Sequence, residues 1–124
     1  MAESVSRIKI KLVIENLGEV KGELIRYLAP RTIEALLRSM PIDGITALTE
    51  GMIYFGTPVR AGSEKPTKLV ESGTIAYWPI SSSACFFTSK TQPFSPVNVI
   101  GKVTDNLELL GRVGSGKRVR MEKI

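Results

Sequence analysis

The sequence predicts a mainly β fold: a closed antiparallel β-barrel with two helices capping its ends, built as one domain from residues 1–124. Three observations predict it. Short segments of alternating apolar and polar residues recur along the chain, turns rich in glycine, proline and asparagine separate them, and only two stretches carry helical periodicity. Many short strands with few helices cover their apolar faces and remove free edges by closing on themselves. At 124 residues the chain is long enough to bury a modest core without disulfides.

Residues 6–14 alternate strictly up to Leu12. Ile8, Ile10, Leu12 and Ile14 fall on one face, and Arg7, Lys9 and Lys11 on the other, the pattern of a half-buried antiparallel strand. Asn16-Leu17-Gly18 reads as a tight hairpin turn, returning into a second strand over 19–27. The best helix spans 29–40. Pro30 suits its first turn, where a missing N–H costs little, and Pro41 stops it. Ile33, Leu36, Leu37 and Met40 form one apolar stripe, so this helix is expected to plug one end of the barrel. Residues 51–59 read as a strand and 60–66 as a loop. Strands over 73–78 and 84–88 are joined by Pro79-Ile80-Ser81-Ser82-Ser83, and a proline-bearing loop over 92–96 leads into a strand over 97–103. Asp105 is placed to cap a short helix with Leu107, Leu110 and Val113 on one side, and 118–122 closes the chain as a strand.

Composition bounds the function classes. No apolar run approaches the length of a membrane helix, and the first residues, Met1-Ala2-Glu3-Ser4-Val5-Ser6-Arg7, carry an acid and no apolar core of a secretory signal. The single cysteine cannot form an internal disulfide, which fits a reducing compartment, so a cytoplasmic location is expected. With no histidine and one cysteine, no metal site and no cofactor are expected. The net charge of +5 favours anions without specifying one. Arg7, Lys9 and Lys11 on the first strand and Arg118 and Arg120 on the last would form a basic ridge if those strands are neighbours. Such a ridge is small and carries no stacking aromatics, so no specific nucleic-acid partner is expected. A solvated face that discourages edge pairing explains it as well.

Gly111-Arg-Val-Gly-Ser-Gly-Lys117 has the spacing of a phosphate-binding loop. Arg118 stands where the magnesium-binding hydroxyl belongs, and the run precedes a strand rather than a helix, so it reads as a glycine turn. Cys85 lies between Ala84 and Phe86 with no base nearby, the setting of a small core residue rather than a nucleophile. The serines 81–83 read as loop. The aromatics Tyr54, Phe55, Tyr77, Trp78, Phe86, Phe87 and Phe94 concentrate in the middle of the chain. Alternation puts Phe86 and Phe87 on opposite faces, so one of the two is core. Trp78-Pro79 marks a strand end of the kind that edges a pocket.

Several runs resemble the cyclophilins, the prolyl isomerases. Gly18-Glu-Val-Lys-Gly-Glu-Leu24 followed by Pro30-Arg-Thr-Ile-Glu34 is similar to a strand and helix start of that family, and Ala84-Cys-Phe-Phe-Thr88 with Val97-Asn-Val-Ile-Gly-Lys-Val103 is similar to two further segments. The family's catalytic arginine falls within a run matched here by Ile53-Tyr-Phe-Gly-Thr-Pro58, and Phe55 takes its position. Cys85 and Val97 take the positions of the family's glutamine and histidine. The stretch Gly73 to Phe87, with its Ala76-Tyr-Trp-Pro79 segment and the Val97-Asn-Val-Ile-Gly101 segment, resembles more closely a small bacterial and archaeal family of cyclophilin-like single domains. That resemblance covers essentially the whole chain and implies the minimal cyclophilin-type barrel, but no activity.

The resemblance places Phe87 at a pocket-lining position and Phe94 in the loop where cyclophilins carry a tryptophan. The expected site is an apolar groove beside Phe55 and Phe87, rimmed by loops 79–83 and 91–96. Its candidate ligand-binding residues are Phe55, Arg60, Trp78, Cys85, Phe87, Gln92 and Phe94, and none is catalytic. The expected function is a binding module for a small molecule or an extended peptide, without efficient isomerase catalysis. Twisting a prolyl amide meets a barrier of about 18–20 kcal/mol, and lowering it takes polar stabilisation that Phe55 lacks. Arg60, two residues past Pro58, is the one cation placed to substitute, which keeps a divergent isomerase as an alternative. An assembly role through the basic strand face is another. The sequence sets neither the ligand's identity nor the oligomeric state.

Overall fold

The computed structural model describes residues 6–124; the N-terminal residues read above for a secretory signal lie, up to Val5, outside them. Nine antiparallel strands are described: β1 (Arg7–Ile14), β2 (Gly18–Ile25), β3 (Ile42–Ile45), β4 (Ala47–Thr49), β5 (Met52–Gly56), β6 (Thr74–Trp78), β7 (Ser83–Phe87), β8 (Asn98–Asp105) and β9 (Arg118–Lys123). They form a single sheet in the order β3-β9-β1-β2-β8-β6-β7-β5-β4. The first and last strands in that order are consecutive in sequence, separated by Thr46 alone. One bent segment therefore pairs with β9 through its first half and with β5 through its second, which draws the sheet into a nearly closed barrel.

The predicted hairpin is present. β1 pairs with β2 from Arg7↔Ile25 to Ile14↔Gly18, and Ile10, Leu12 and Ile14 point into the barrel. The second strand ends at Ile25, not at residue 27, because Arg26–Leu28 turns as a 3-10 segment. The stretch 41–50, to which the sequence pattern assigned no strand, supplies both β3 and β4.

The helix α1 (Pro30–Ser39) carries proline in its first turn, as expected. Ile33 and Leu36 are fully buried in the barrel core, while Leu37 and Met40 are half-buried against it. Its N-cap residue, Ala29, offers no side-chain oxygen. The cap comes instead from Glu64 in the long β5–β6 connection. The Glu64 carboxylate accepts hydrogen bonds from the Arg31 N–H (3.1 Å), the Thr32 N–H (2.9 Å) and the Thr32 hydroxyl (2.8 Å). The second helical segment, Leu107–Arg112, is 3-10 rather than α. Asp105 does not cap it: Asp105 ends β8, Asn106 occupies the cap position with φ 64°, and no side-chain cap bond forms.

Two apolar clusters lie on opposite sides of the sheet. The barrel interior holds Ile10, Leu12, Leu24, Ile33, Leu36, Ile53, Phe55, Ile75, Tyr77, Ala84, Phe86, Ile100 and their neighbours. A second, outer cluster joins Met52, Val70, Ala76, Trp78, Cys85, Phe87 and Val97. Each of β5, β6 and β7 alternates between the two, which explains why every residue of β7 is buried.

The glycine-rich run Gly111–Lys117 is a structural knot at the barrel's bent segment. The Thr46 hydroxyl donates to the Gly114 carbonyl (2.7 Å) and accepts from the Lys117 N–H (2.9 Å). The Thr46 backbone pairs with Lys117 and Gly116 at 2.8 Å each.

Candidate functional site

Strand parity decides where the candidate residues point. In the β5–β7 register, Phe55 lies opposite Ala84 and Met52 opposite Phe87. Phe55 and Met52 are three positions apart, so Phe55 and Phe87 face opposite sides of the sheet. Phe55 is 1% exposed inside the barrel, its ring stacked on Phe86 at 6.2 Å. Phe87 and Cys85 are 0% exposed in the outer cluster. Burial pushes the Cys85 thiol well above its ordinary pKa, so it carries no thiolate to use as a nucleophile. Arg60 is exposed in the β5–β6 connection, between Val59 and Ala61. The Tyr77 hydroxyl fixes the backbone on either side of it, donating to the Val59 carbonyl (2.7 Å) and accepting from the Ala61 N–H (3.1 Å).

Trp78, Gln92 and Phe94, by contrast, come together. They line a groove of about 450 Å³ between the β4–β5 turn and the segment that follows β7. Trp78 (9% exposed) and Met52 belong to the outer cluster beneath it. Thr49 and Glu50 stand on one side, residues 89–94 on the other, and Phe94 projects from the rim, 88% exposed. Phe55, Arg60, Cys85 and Phe87 do not line it, and neither does the 79–83 loop. That loop is a 3-10 turn whose Ser82 carbonyl is bonded to the N–H and the hydroxyl of Thr57, both at 2.9 Å.

The groove is more polar than expected. Six of the ten lining residues are Thr49, Glu50, Ser89, Lys90, Thr91 and Gln92; the apolar four are Met52, Trp78, Pro93 and Phe94. The rings that would have made it hydrophobic are committed to the two cores. The Trp78 indole N–H donates to the Ser95 hydroxyl at 2.6 Å, and its ring meets the edge of Tyr54 at 5.4 Å and 85°. Trp78 thus presents ring surface, not a free donor. The walls are held together. The Thr88 N–H donates to the Gly51 carbonyl (2.9 Å), and Thr91 and Val70 exchange two backbone bonds of 2.9 Å. Gly51 is in the left-handed region at φ 80°, and a Cβ there would collide with the Thr91 hydroxyl, so the two turns touch. Sequence reasoning missed the Thr49, Glu50, Ser89 and Lys90 side of the site. Glu50-Gly51 followed by an apolar run is a hairpin signal, and it would have placed the first two beside β5.

A second polar cluster sits inside one end of the barrel. The buried Asn98 amide donates to the Thr32 hydroxyl (3.1 Å) and the Gly62 carbonyl (2.9 Å) and accepts from the Glu64 N–H (2.8 Å). Partial burial would raise the Glu64 pKa, but the hydrogen bonds from Thr32 and Arg31 outweigh it and hold the carboxyl below its ordinary value. Every bond in this cluster is internal, and it fastens the β5–β6 connection over α1. No three metal-ligating side chains gather among the described residues.

The basic ridge is paired in part: three of its five residues have acidic neighbours. β1 and β9 are neighbours, as the ridge requires, but Arg7 pairs with Glu23 (2.6 Å), Arg120 with Asp43 (2.8 Å), and Lys11 lies 3.7 Å from Glu19 and 3.6 Å from Glu122. Hydrogen bonding to Arg120 holds the Asp43 pKa below its usual value. No helix of the described residues is long and apolar enough to cross a membrane.

The architecture is that of a cyclophilin-type barrel. A cyclophilin-like family model matches residues 8–122, and the chain belongs to that family. It is similar in structure to the hypothetical protein AF2241 from Archaeoglobus fulgidus, with a TM-score of 0.84, 31% identity and full coverage of both chains. It also resembles McbB, solved in complex with tryptophan, with a TM-score of 0.77 and 14% identity over 91% of this chain and 44% of McbB. That likeness shows the fold alone. A comparison with functionally curated proteins gives no match.

Proposed function

We propose that this protein is a binding module that takes a small, partly apolar molecule in the groove over Trp78, without efficient prolyl isomerase catalysis. The observation that carries the reading is the groove itself: about 450 Å³, an aromatic floor, a rim of hydroxyls and an amide, and walls tied by backbone hydrogen bonds. Its size falls in the range of small-ligand sites, and bound walls reduce the ordering cost of binding. A groove of this volume suits a small molecule better than an extended peptide. A reducing, cytoplasmic setting suits the single, fully buried thiol.

The case against isomerase chemistry rests on the same geometry. Phe55 is sealed in the barrel and Arg60 does not line the groove, so no arginine faces its floor to take the part of the family's catalytic guanidinium. A proline-peptide exchange assay should show no acceleration over the uncatalysed rate. Acceleration abolished by Arg60→Ala would establish the divergent isomerase instead.

Binding is tested by NMR on the 15N-labelled protein. The chain has one tryptophan, so Trp78 contributes a single indole N–H signal. Fragment mixtures, with tryptophan among the first because McbB was solved with it, should shift that signal together with the amides of 89–94. Phe94→Ala should weaken the hits and Lys9→Ala should not. Fragments that shift only residues remote from the groove would refute the reading.

A further inference from the structure

Resting on the groove reading, we propose that its ligand is a small zwitterion: an apolar body lying on Trp78, a cationic group facing Glu50 and an anionic group facing Lys90. Glu50 and Lys90 are the two charged residues that line the groove, and they are of opposite sign. They stand on the two turns that meet at Gly51 and Thr91, so their positions are set by the same contacts that hold the walls.

Both charges are available. Among the described residues Glu50 makes no ion pair or side-chain hydrogen bond. Lys90 has only Glu71 at 3.8 Å, and both partners are well exposed. A long, solvated pair of that kind contributes little, and a ligand carboxylate can replace it. The floor cannot read the polar ends of a ligand: the Trp78 N–H is already spent on Ser95, and Met52 offers only a weak acceptor. Discrimination therefore falls to the rim, where the strongest groups are one carboxylate and one ammonium.

The test uses four probes that share a phenyl ring: phenylalanine, phenethylamine, which lacks the carboxylate, phenylpropionate, which lacks the amine, and the shorter benzyl alcohol, which lacks both. Affinities are read from the Trp78 indole signal. Phenylalanine should bind about fivefold more tightly than either singly charged probe, the order of one exposed ion pair. Glu50→Gln should weaken phenylalanine and phenethylamine by about that factor and leave phenylpropionate unchanged; Lys90→Gln should do the converse. Both side chains are on exposed turns, and an unchanged urea midpoint confirms that the variants are folded. Equal affinity for benzyl alcohol and phenylalanine, or affinities indifferent to both substitutions, would overturn the zwitterion while leaving the groove a binding site. No response of Trp78 to any of the four, nor to the fragments above, would overturn both.

Discussion

Gly101→Ala should be among the most damaging single-atom additions this barrel can receive. Gly101 sits in β8 opposite Leu24 of β2, beside the Glu23↔Lys102 pair. A Cβ at this position would collide with the Glu23 carbonyl oxygen and lie 2.9 Å from its carbon and 3.0 Å from the Leu24 Cα. All three are backbone atoms, so no rotamer change relieves the clash and the two strands must part. Overpacking of this kind costs about 1–3 kcal/mol, and each ladder hydrogen bond stretched in the process forfeits about 1 kcal/mol. A total of about 3 kcal/mol is expected, which for a chain of this size lowers Tm by about 10 °C. Urea unfolding at equilibrium measures it as a lower midpoint with an unchanged slope. Gly111→Ala is the control. No atom lies within 4 Å of its would-be Cβ, and its φ is outside the left-handed region, so the change should be neutral or stabilise by a few tenths of a kcal/mol. A Gly101→Ala loss below about 0.5 kcal/mol, with the barrel intact, would refute the claim that the β2–β8 approach requires glycine.

Leu36→Ala removes a fully buried side chain from the helix that plugs the barrel and should cost about 2–5 kcal/mol by urea unfolding; a loss under half a kcal/mol would place Leu36 outside the core. Glu64→Gln weakens the cap of α1 and should cost about 1 kcal/mol at neutral pH. Because the folded pKa of Glu64 lies below its unfolded value, its contribution is complete above the unfolded pKa and is lost as pH falls through the folded one. The difference between Glu64→Gln and the native protein should therefore shrink below about pH 4, and a difference constant down to about pH 3 would refute the linkage. Oligonucleotide binding should be weak, without sequence preference and gone near physiological salt, since three of the five basic residues of the ridge (Arg7, Lys11 and Arg120, but not Lys9 and Arg118) are already paired with acids; affinity that survives added salt and distinguishes sequences would refute this.

The barrel was legible in the sequence because its signals are local. Ile10, Leu12 and Ile14 alternate with charges, Pro30 opens the helix whose stripe holds Ile33 and Leu36, and Asn16-Leu-Gly18 turns the first hairpin. Each of these follows from a few neighbouring residues. The groove was legible only in part because its location depends on register, a relation between distant strands. Trp78 and Gln92 are legible because a strand end followed by proline edges a pocket and a proline-bearing loop frames one, and Phe94 because its loop matches the one where cyclophilins carry a tryptophan. Phe55 and Phe87 both match positions near a cyclophilin pocket, yet nothing in either strand alone states that Met52, and not Phe55, stands opposite Phe87. A one-residue change of that register would exchange the two faces of β5 and bring Phe55 and Phe87 to the same side. The outer cluster hid the answer further. β7 reads Ser-Ala-Cys-Phe-Phe, with little polar alternation, because loops cover its outer face as the barrel covers its inner one. A strand buried on both sides loses the hydrophobic code that tells inside from outside. What remained to line the groove were Thr49 at the end of β4 and the turn residues Glu50, Ser89 and Lys90, whose polar character marks them in sequence as turn or loop without saying that the two turns meet. Their convergence exists because Gly51 lets one turn lie directly against another, a contact that no spacing along the chain encodes.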